Sequence, residues 1–251
     1  MNKKKLITIS ILPIMWLIYF LFELITRRLT TFYDIIMTLL PTLVFAFVGY
    51  LFYRLWENYK EGLNRKSLIV IFALLMLFDQ GIKLIIKLWF FEDRFDIIPK
   101  FLSFHPIINT QGSWINARFE AGLSFGFLIL INTIALFIFT ECYRYYLHKG
   151  NKDFFADLCY VFIMAGALCS LIDKVFYGGS LDFIGISSLF IADFKDIYIN
   201  LAIFFFILSI FFNDYWKEEE NTTLKDDIQS LKNFISFIKI DIETSIFKKS
   251  K

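Results

Sequence analysis

Histidine is nearly absent from this 251-residue chain: His105 and His148 are the only two, far apart and on opposite sides of an apolar run. A histidine-based metal site or a Ser–His–Asp triad therefore has little support. Cysteine is also scarce. Cys142, Cys159 and Cys169 fall in apolar segments without CxxC or other metal-ligand spacing, which points to small buried hydrophobes. The formal net charge is only +2, so no polyanion partner, nucleic acid included, is implied. No A-x-A-like cleavage site follows the first apolar run, so that run is expected to remain as a span rather than leave as a signal peptide.

What the chain has in excess is apolar surface. It is 57% hydrophobic with 33 phenylalanines, more than a soluble domain of this length needs, and hydrocarbon is the implied solvent. Crossing a bilayer takes about 20 apolar residues. Six segments qualify: Leu6–Ile25, Ile35–Trp56, Leu68–Phe91, Gly122–Tyr146, Phe154–Phe176 and Ile197–Trp216. The expected fold is an all-α polytopic membrane protein with six transmembrane helices. An even number of spans puts both termini on one side. Lys and Arg are denser in the connections that share a side with the N-terminus, which assigns that side to the cytoplasm, although Arg27 and Arg28 run against the bias.

Two regions are not spans. Residues 92–121 mix aromatics with Pro, Asn and Gly and are expected to form a small outer-face element of strands and turns. In the tail, residues 217–251, Leu224, Ile228, Leu231, Ile235, Ile238, Ile242 and Ile246 recur every three or four positions, which predicts an amphipathic helix lying on the inner membrane surface. Thr223 and Asp226 are placed to cap its start. A soluble helix seeking a partner is the alternative.

Carboxylates at bilayer depth are expensive, so each needs a cation, water or a task. Asp79 and Lys83 are four apart on one predicted helix and are expected to form an ion pair that anchors packing. The stretch SLIDKVFYGGSLDFIGISSLFIADF carries Asp173, Asp182 and Asp193. Neither Asp182 nor Asp193 has a cation at helical spacing, and Lys195, two residues past Asp193, is a poor helical neighbour. Two carboxylates brought close cannot both ionise easily; one keeps its proton, and the pair then supplies one acid and one base. The rival is a pair of ordinary interfacial loop residues.

The order of these pieces resembles the lipoprotein signal peptidases (signal peptidase II). They are Asp79-Gln80-Gly81-Ile82-Lys83, Gly166-Ala167-Leu168, Leu171-Ile172-Asp173-Lys174, Leu181-Asp182-Phe183-Ile184 and Ala192-Asp193. The resemblance covers roughly residues 66–216. It implies an intramembrane aspartic endopeptidase with a four-helix core and an outer-face β-cradle at 92–121. The two N-terminal spans, residues 1–65, and the tail, residues 217–251, are additions. Asp182 and Asp193 match the family's catalytic dyad, and Asp79, Lys83, Asp173 and Lys174 match positions that support the site. The family's Asn-Thr-Gly-Ala-Ala-Phe motif has two candidate matches, one starting at Asn109 and one carrying Glu120 and Gly122. Ser170 stands where the family has Asn, Lys174 where it has Arg, and Phe190 where it has Asn. The stretch between the dyad aspartates is shorter than usual.

The resemblance further implies cleavage of diacylglyceryl-modified prolipoproteins before the lipidated cysteine, with no metal and no cofactor. The partners would be that substrate and membrane lipids. The location would be a bacterial cytoplasmic membrane, with both termini cytoplasmic and the site at the extracytoplasmic face. Two other functions fit the same residues: a non-catalytic relative that binds lipidated peptides or membrane partners, and a small transporter with Asp79, Lys83 and Asp173 along an ion path.

Overall fold

The computed structural model of the chain describes residues 2–112, 114–213 and 223–247. Among these residues, six helical stretches are long and apolar enough to cross a membrane: Lys3–Ile25, Phe32–Asn58, Arg65–Phe90, Phe125–His148, Phe154–Tyr177 and Phe194–Phe212. They correspond one for one to the six apolar runs. The first is α1. The second is two helices, α2 (Phe32–Leu39) and α3 (Pro41–Asn58), because Pro41 lacks the amide hydrogen that would continue the ladder and sits at the first position of a new helix. The third is α4 (Arg65–Ile85), capped by Asn64 and extended by a π-helical turn, Ile86–Phe90. After the short α5 (Trp114–Phe119) come α6 (Phe125–His148), α7 (Phe154–Ile172) and α8 (Phe194–Phe212). The amphipathic tail is α9 (Leu224–Phe247).

Helices α7 and α8 form the centre. A β-carbon at Gly166 would lie 2.7 Å from Ile199 Cγ1 and 3.2 Å from the Lys195 carbonyl oxygen, so glycine is what lets these two helices approach. Gly49 does the same between α3 and α1, where a β-carbon would meet the Thr8 carbonyl oxygen at 2.6 Å. Leu12, Phe154, Phe155, Leu158, Phe204, Phe205 and Leu208 make one buried cluster that ties α1 to α7 and α8. Ile18, Leu43, Leu74 and Leu130 point outward, as lipid-facing side chains do.

The sheet is larger than residues 92–121 can supply. Strands β1 (Phe95–Ile98) and β2 (Leu102–Asn109) come from that region, while β3 (Ser180–Ile186) and β4 (Phe190–Ala192) come from the stretch that holds the paired aspartates. All neighbours are antiparallel in the order β1-β2-β3-β4. The reason is that an unpaired edge leaves polar backbone exposed, and residues 180–186 satisfy the free edge of β2. Several span ends shift by one to three residues from expectation; the fourth, for instance, starts at Phe125 rather than Gly122, after its N-cap Ser124. The last span starts at Phe194 rather than Ile197, because Asp193 and Asp196 close a capping box there. Its expected end at Trp216 lies outside the described residues, as does the acidic run 218–220.

The start of α9 is capped as expected, with the Thr223 amide and hydroxyl both donating to Asp226 Oδ2 at 2.9 and 2.6 Å. The helix lies against the C-terminal end of α6, through the Arg144–Asp241 ion pair at 2.6 Å and the rings of Tyr145 and Phe237. That end is remote from the sheet along α6. The start of α1 is at the same remote end, where the Lys4 ammonium lies over the rings of Trp56, at the end of α3, and Phe212, at the end of α8.

Candidate active site

The hairpin β3–β4 explains how residues eleven apart in the chain meet. Its register pairs Ile186 with Phe190, Gly185 with Ile191 and Ile184 with Ala192. The ladder ends there: Asp193 follows β4 as the N-cap of α8, and Asp182 lies two residues before Ile184 on β3. One carboxylate oxygen from each of Asp182, Asp193 and Asp196 lies within 4.8 Å of the others. Asp182 and Asp193 are both buried. Asp193 is the N-cap of α8, where the helix dipole favours a negative charge. Its amide donates to Asp196 Oδ2 at 3.2 Å, and the Asp196 amide donates back to Asp193 Oδ1 at 3.3 Å.

Two buried ammonium groups organise the carboxylates. Lys83 Nζ, on α4, lies 2.9 Å from Asp79, 2.8 Å from Asp173 and 2.6 Å from Asp193. The expected Asp79–Lys83 pair is therefore present and reaches three aspartates rather than one. Lys195 Nζ pairs with Asp193 and lies 3.4 Å from Asp173 and 3.6 Å from Asp182. The expectation that Lys195 is a poor neighbour of Asp193 fails for a local reason. Asp193 is extended, not helical (φ −131°, ψ −174°), so helical spacing does not describe the pair. Helix side chains also lean towards the N-terminus, which carries the Lys195 stem back over the cap.

Ser180 and Asp196 belong to the cluster without standing out in the sequence, and Gln80 joins them from the Asp79-Gln80-Gly81-Ile82-Lys83 motif. The Ser180 hydroxyl lies 3.0 Å from both Asp173 Oδ2 and Asp193 Oδ2 and accepts from Lys195. Gln80 donates to Asp79 at 3.0 Å and to Asp173 at 3.4 Å. The Lys195 amide donates to Asp79 Oδ1 at 3.1 Å, which docks α8 on α4. The capping spacing Asp193-x-x-Asp196 was the available signal for Asp196. For Ser180 there was none beyond its place before an apolar run.

The remaining candidates divide. Asn109, at the end of β2, donates to Asp182 Oδ2 at 2.7 Å and so belongs to the cluster. Glu120 and Gly122 lie exposed between α5 and α6, and among the described residues neither contacts a dyad carboxylate. Ser170 and Lys174 bond to each other, Nζ to Oγ at 2.5 Å, one helical turn apart, and among the described residues neither bonds to Asp182 or Asp193.

The two dyad carboxyls have opposite acidities. Burial pushes Asp182 above its ordinary value, the nearby Asp193 charge adds to this, and Lys195 and Asn109 only partly offset it. Burial opposes ionisation of Asp193 as well, but the Lys195 and Lys83 ammoniums outweigh it and hold that carboxyl at about 2. The site thus offers one carboxylate and one group that retains a proton more readily, 4.8 Å apart or less. By donor type three carboxylates suit a hard cation, but the two lysines already supply the positive charge that such an ion would bring.

Comparison with known proteins agrees with the motif order. The family model described as signal peptidase (SPase) II matches residues 71–212. A lipoprotein signal peptidase of Staphylococcus carnosus (strain TM300) is 29% identical over 119 residues, 47% of this chain and 70% of that protein. One of Rickettsia africae (strain ESF-5) is 33% identical over 129 residues, 48% of this chain and 57% of that protein. A bacterial membrane enzyme solved at 2.3 Å by the in meso method superposes with a TM-score of 0.50 and 24% identity, covering 66% of this chain and 96% of that one. This last likeness speaks to the fold alone.

Proposed function

The chain belongs to the signal peptidase II family of membrane peptidases that process lipoproteins, and from that premise we propose that it is an aspartic endopeptidase using Asp182 and Asp193. The observation that carries the proposal is the approach of the two carboxylates to within 4.8 Å of each other, with acidities driven apart.

The substrate is a prolipoprotein whose cysteine carries a diacylglyceryl group. Its lipid anchors the scissile bond at the membrane boundary, so the bilayer supplies the proximity. Asp193 Oδ2 is occupied by Lys83, Lys195 and Ser180, while its Oδ1, among the described residues, accepts the Asp196 amide alone. Oδ1 is the oxygen free to take a proton from water. Asp182 Oδ1 is buried and accepts no hydrogen bond among the described residues. It is the place for the proton that this carboxyl retains, aimed at the developing oxyanion and then at the leaving amine. Water attacks the carbonyl carbon, the peptide C–N bond breaks, and the proton taken by Asp193 is matched by the one given by Asp182. Asn109 orients Asp182. Asp79, Asp173 and Lys83 hold α4, α7 and α8 together beneath it.

The sheet end of the bundle is taken as extracytoplasmic and the end bearing α9 and the start of α1 as cytoplasmic, in line with the Lys and Arg distribution. Leu224, Ile228, Leu231 and Ile235 on α9 are exposed and suit the inner headgroup surface. Residues 66–216 form the peptidase core, 1–65 an added helical pair and 217–251 an added tail.

One observation favours the non-catalytic alternative: Lys195 neutralises Asp193 and sits near Asp182. Incubation of the purified protein with a diacylglyceryl-modified prolipoprotein, read by gel shift, decides between them. Cleavage by the wild type that disappears in Asp182→Asn and Asp193→Asn supports the peptidase; binding without cleavage supports the alternative.

A further inference from the structure

Residues 1–65 precede the part of the chain that matches the family model, yet they are in close contact with the hairpin that carries the dyad. Strand β4 is three residues long and forms an edge of the sheet. A hairpin so short is marginal without cover. The cover comes from the end of α1 and the segment after it. Phe20 and Leu29 bury Leu189 of the β3–β4 turn, with Leu17, Tyr19, Ile35, Leu39 and Phe190 packed around them. The Tyr19 ring meets Phe190 edge-on at 5.5 Å.

Polar contacts hold the same turn. Arg28 donates to the Ser188 carbonyl oxygen. Its guanidinium also lies 3.7 Å from Glu23 Oε2, a carboxylate with no exposed surface at all. Arg118, on α5, reaches that same oxygen at 3.7 Å and donates to Thr26 at 3.2 Å. Tyr33 donates to the Pro99 carbonyl oxygen in the β1–β2 turn at 2.6 Å. The added helices therefore grip the β3–β4 turn, α5 and the β1–β2 turn. A buried carboxylate at a span end has no reason to be there unless its cations matter.

We infer that the two N-terminal spans are a built-in clamp that fixes the β3–β4 hairpin, and through it the separation of Asp182 and Asp193, with Arg28 as the positioning residue. The open end of the hairpin is held by Asn109 and the cap of α8. Its turn end is held by the Ser187 amide, which donates to the Phe101 carbonyl oxygen at 2.6 Å, and, on the β4 side, by the helices that precede the peptidase core. Releasing the turn lets the strands shear, which changes the distance between the two carboxylates without touching either. The effect on hairpin mobility follows from packing alone, whereas the effect on rate rests on the peptidase reading.

The test uses the full-length protein in detergent, comparing wild type, Arg28→Ala, Arg28→Lys, Phe20→Ala and the lipid-facing control Ile18→Ala. Amide hydrogen exchange is followed by mass spectrometry over residues 187–192 and over α7. Exchange in the hairpin rises about tenfold in Arg28→Ala and Phe20→Ala, less in Arg28→Lys, and stays level in Ile18→Ala, with α7 unchanged throughout. In the same variants kcat for a diacylglyceryl-modified prolipoprotein falls about tenfold while KM holds, and Arg28→Lys recovers part of the loss. Unchanged hairpin exchange overturns the clamp, and so does an equal rise in α7. Raised exchange with unchanged kcat overturns its role in positioning the dyad. A wild type inert on prolipoprotein removes the peptidase reading and leaves the exchange measurement to decide the clamp.

Discussion

Lys195 and Asp193 are ion-paired across the start of α8, although only one residue separates them in the chain. The pair exists because Asp193 caps the helix in an extended conformation and Lys195 folds back over it. It sets the charge state of the dyad. Lys195→Met removes one of the two cations that hold the Asp193 carboxyl at about 2, so burial then pushes that carboxyl upward. The acid limb of the kcat/KM profile should move to higher pH, and Lys195→Arg should leave it nearly in place. A pH–rate series on the three proteins checks this; an unmoved limb in Lys195→Met removes Lys195 as the counter-ion.

Asp182→Asn and Asp193→Asn should each lower cleavage by about a thousandfold, the range that general acid–base groups supply. Both variants should still insert and give monodisperse protein on size exclusion. A purified double variant that cleaves at the wild-type rate would sink the dyad.

The same two carboxyls make opposite contributions to stability. Asp193 is depressed from 3.8 to about 2, so its contribution is present above about 3.8 and is lost as pH falls through about 2. Asp182 is raised, so its contribution is complete at low pH and is lost as pH rises through its folded value. Asp193→Asn should therefore flatten the acid loss of Tm. Asp182→Asn should remove the loss of Tm that sets in as pH rises through the folded value of Asp182, while still lowering cleavage. Thermal denaturation across pH tests both signs.

Lys83 is the shared cation of Asp79, Asp173 and Asp193. Lys83→Met leaves buried carboxylates short of a partner and should destabilise the protein by about 3–5 kcal/mol. Arg144→Ala breaks a pair whose arginine is 43% exposed and should change stability by about 1 kcal/mol or less. Chemical denaturation of both variants in one detergent gives the comparison.

Asn109 donates to Asp182, whereas Glu120 contacts no dyad residue among those described. Asn109→Ala removes a hydrogen bond to a carboxyl, worth about 1.5 kcal/mol or more, and should lower kcat roughly tenfold. Glu120→Gln should leave kcat within about twofold, as surface changes do. Equal losses in the two variants would show that both candidate motif matches act on substrate.

The six spans, the tail helix with its Thr223–Asp226 cap and the Asp79–Lys83 pair were all legible along the chain. Each depends on hydropathy summed over a window or on spacing within one helix, and both are local quantities. The family itself could be read from motif order, because order along the chain survives divergence of the residues between motifs. The β3–β4 hairpin was not read, because LDFIGI is a short apolar run that periodicity does not separate from helix. The reach of Lys83 to Asp173 and Asp193, the place of Ser180 between two carboxylates, and the grip of Arg28 on Ser188 were decided by tertiary structure alone. These contacts join residues from different elements, and which faces of those elements meet depends on packing. Gly166 and Gly49 permit that packing only once their partner helices arrive. Local chemistry thus determined what would enter the membrane, and the packing of helix on helix determined which charges would meet there.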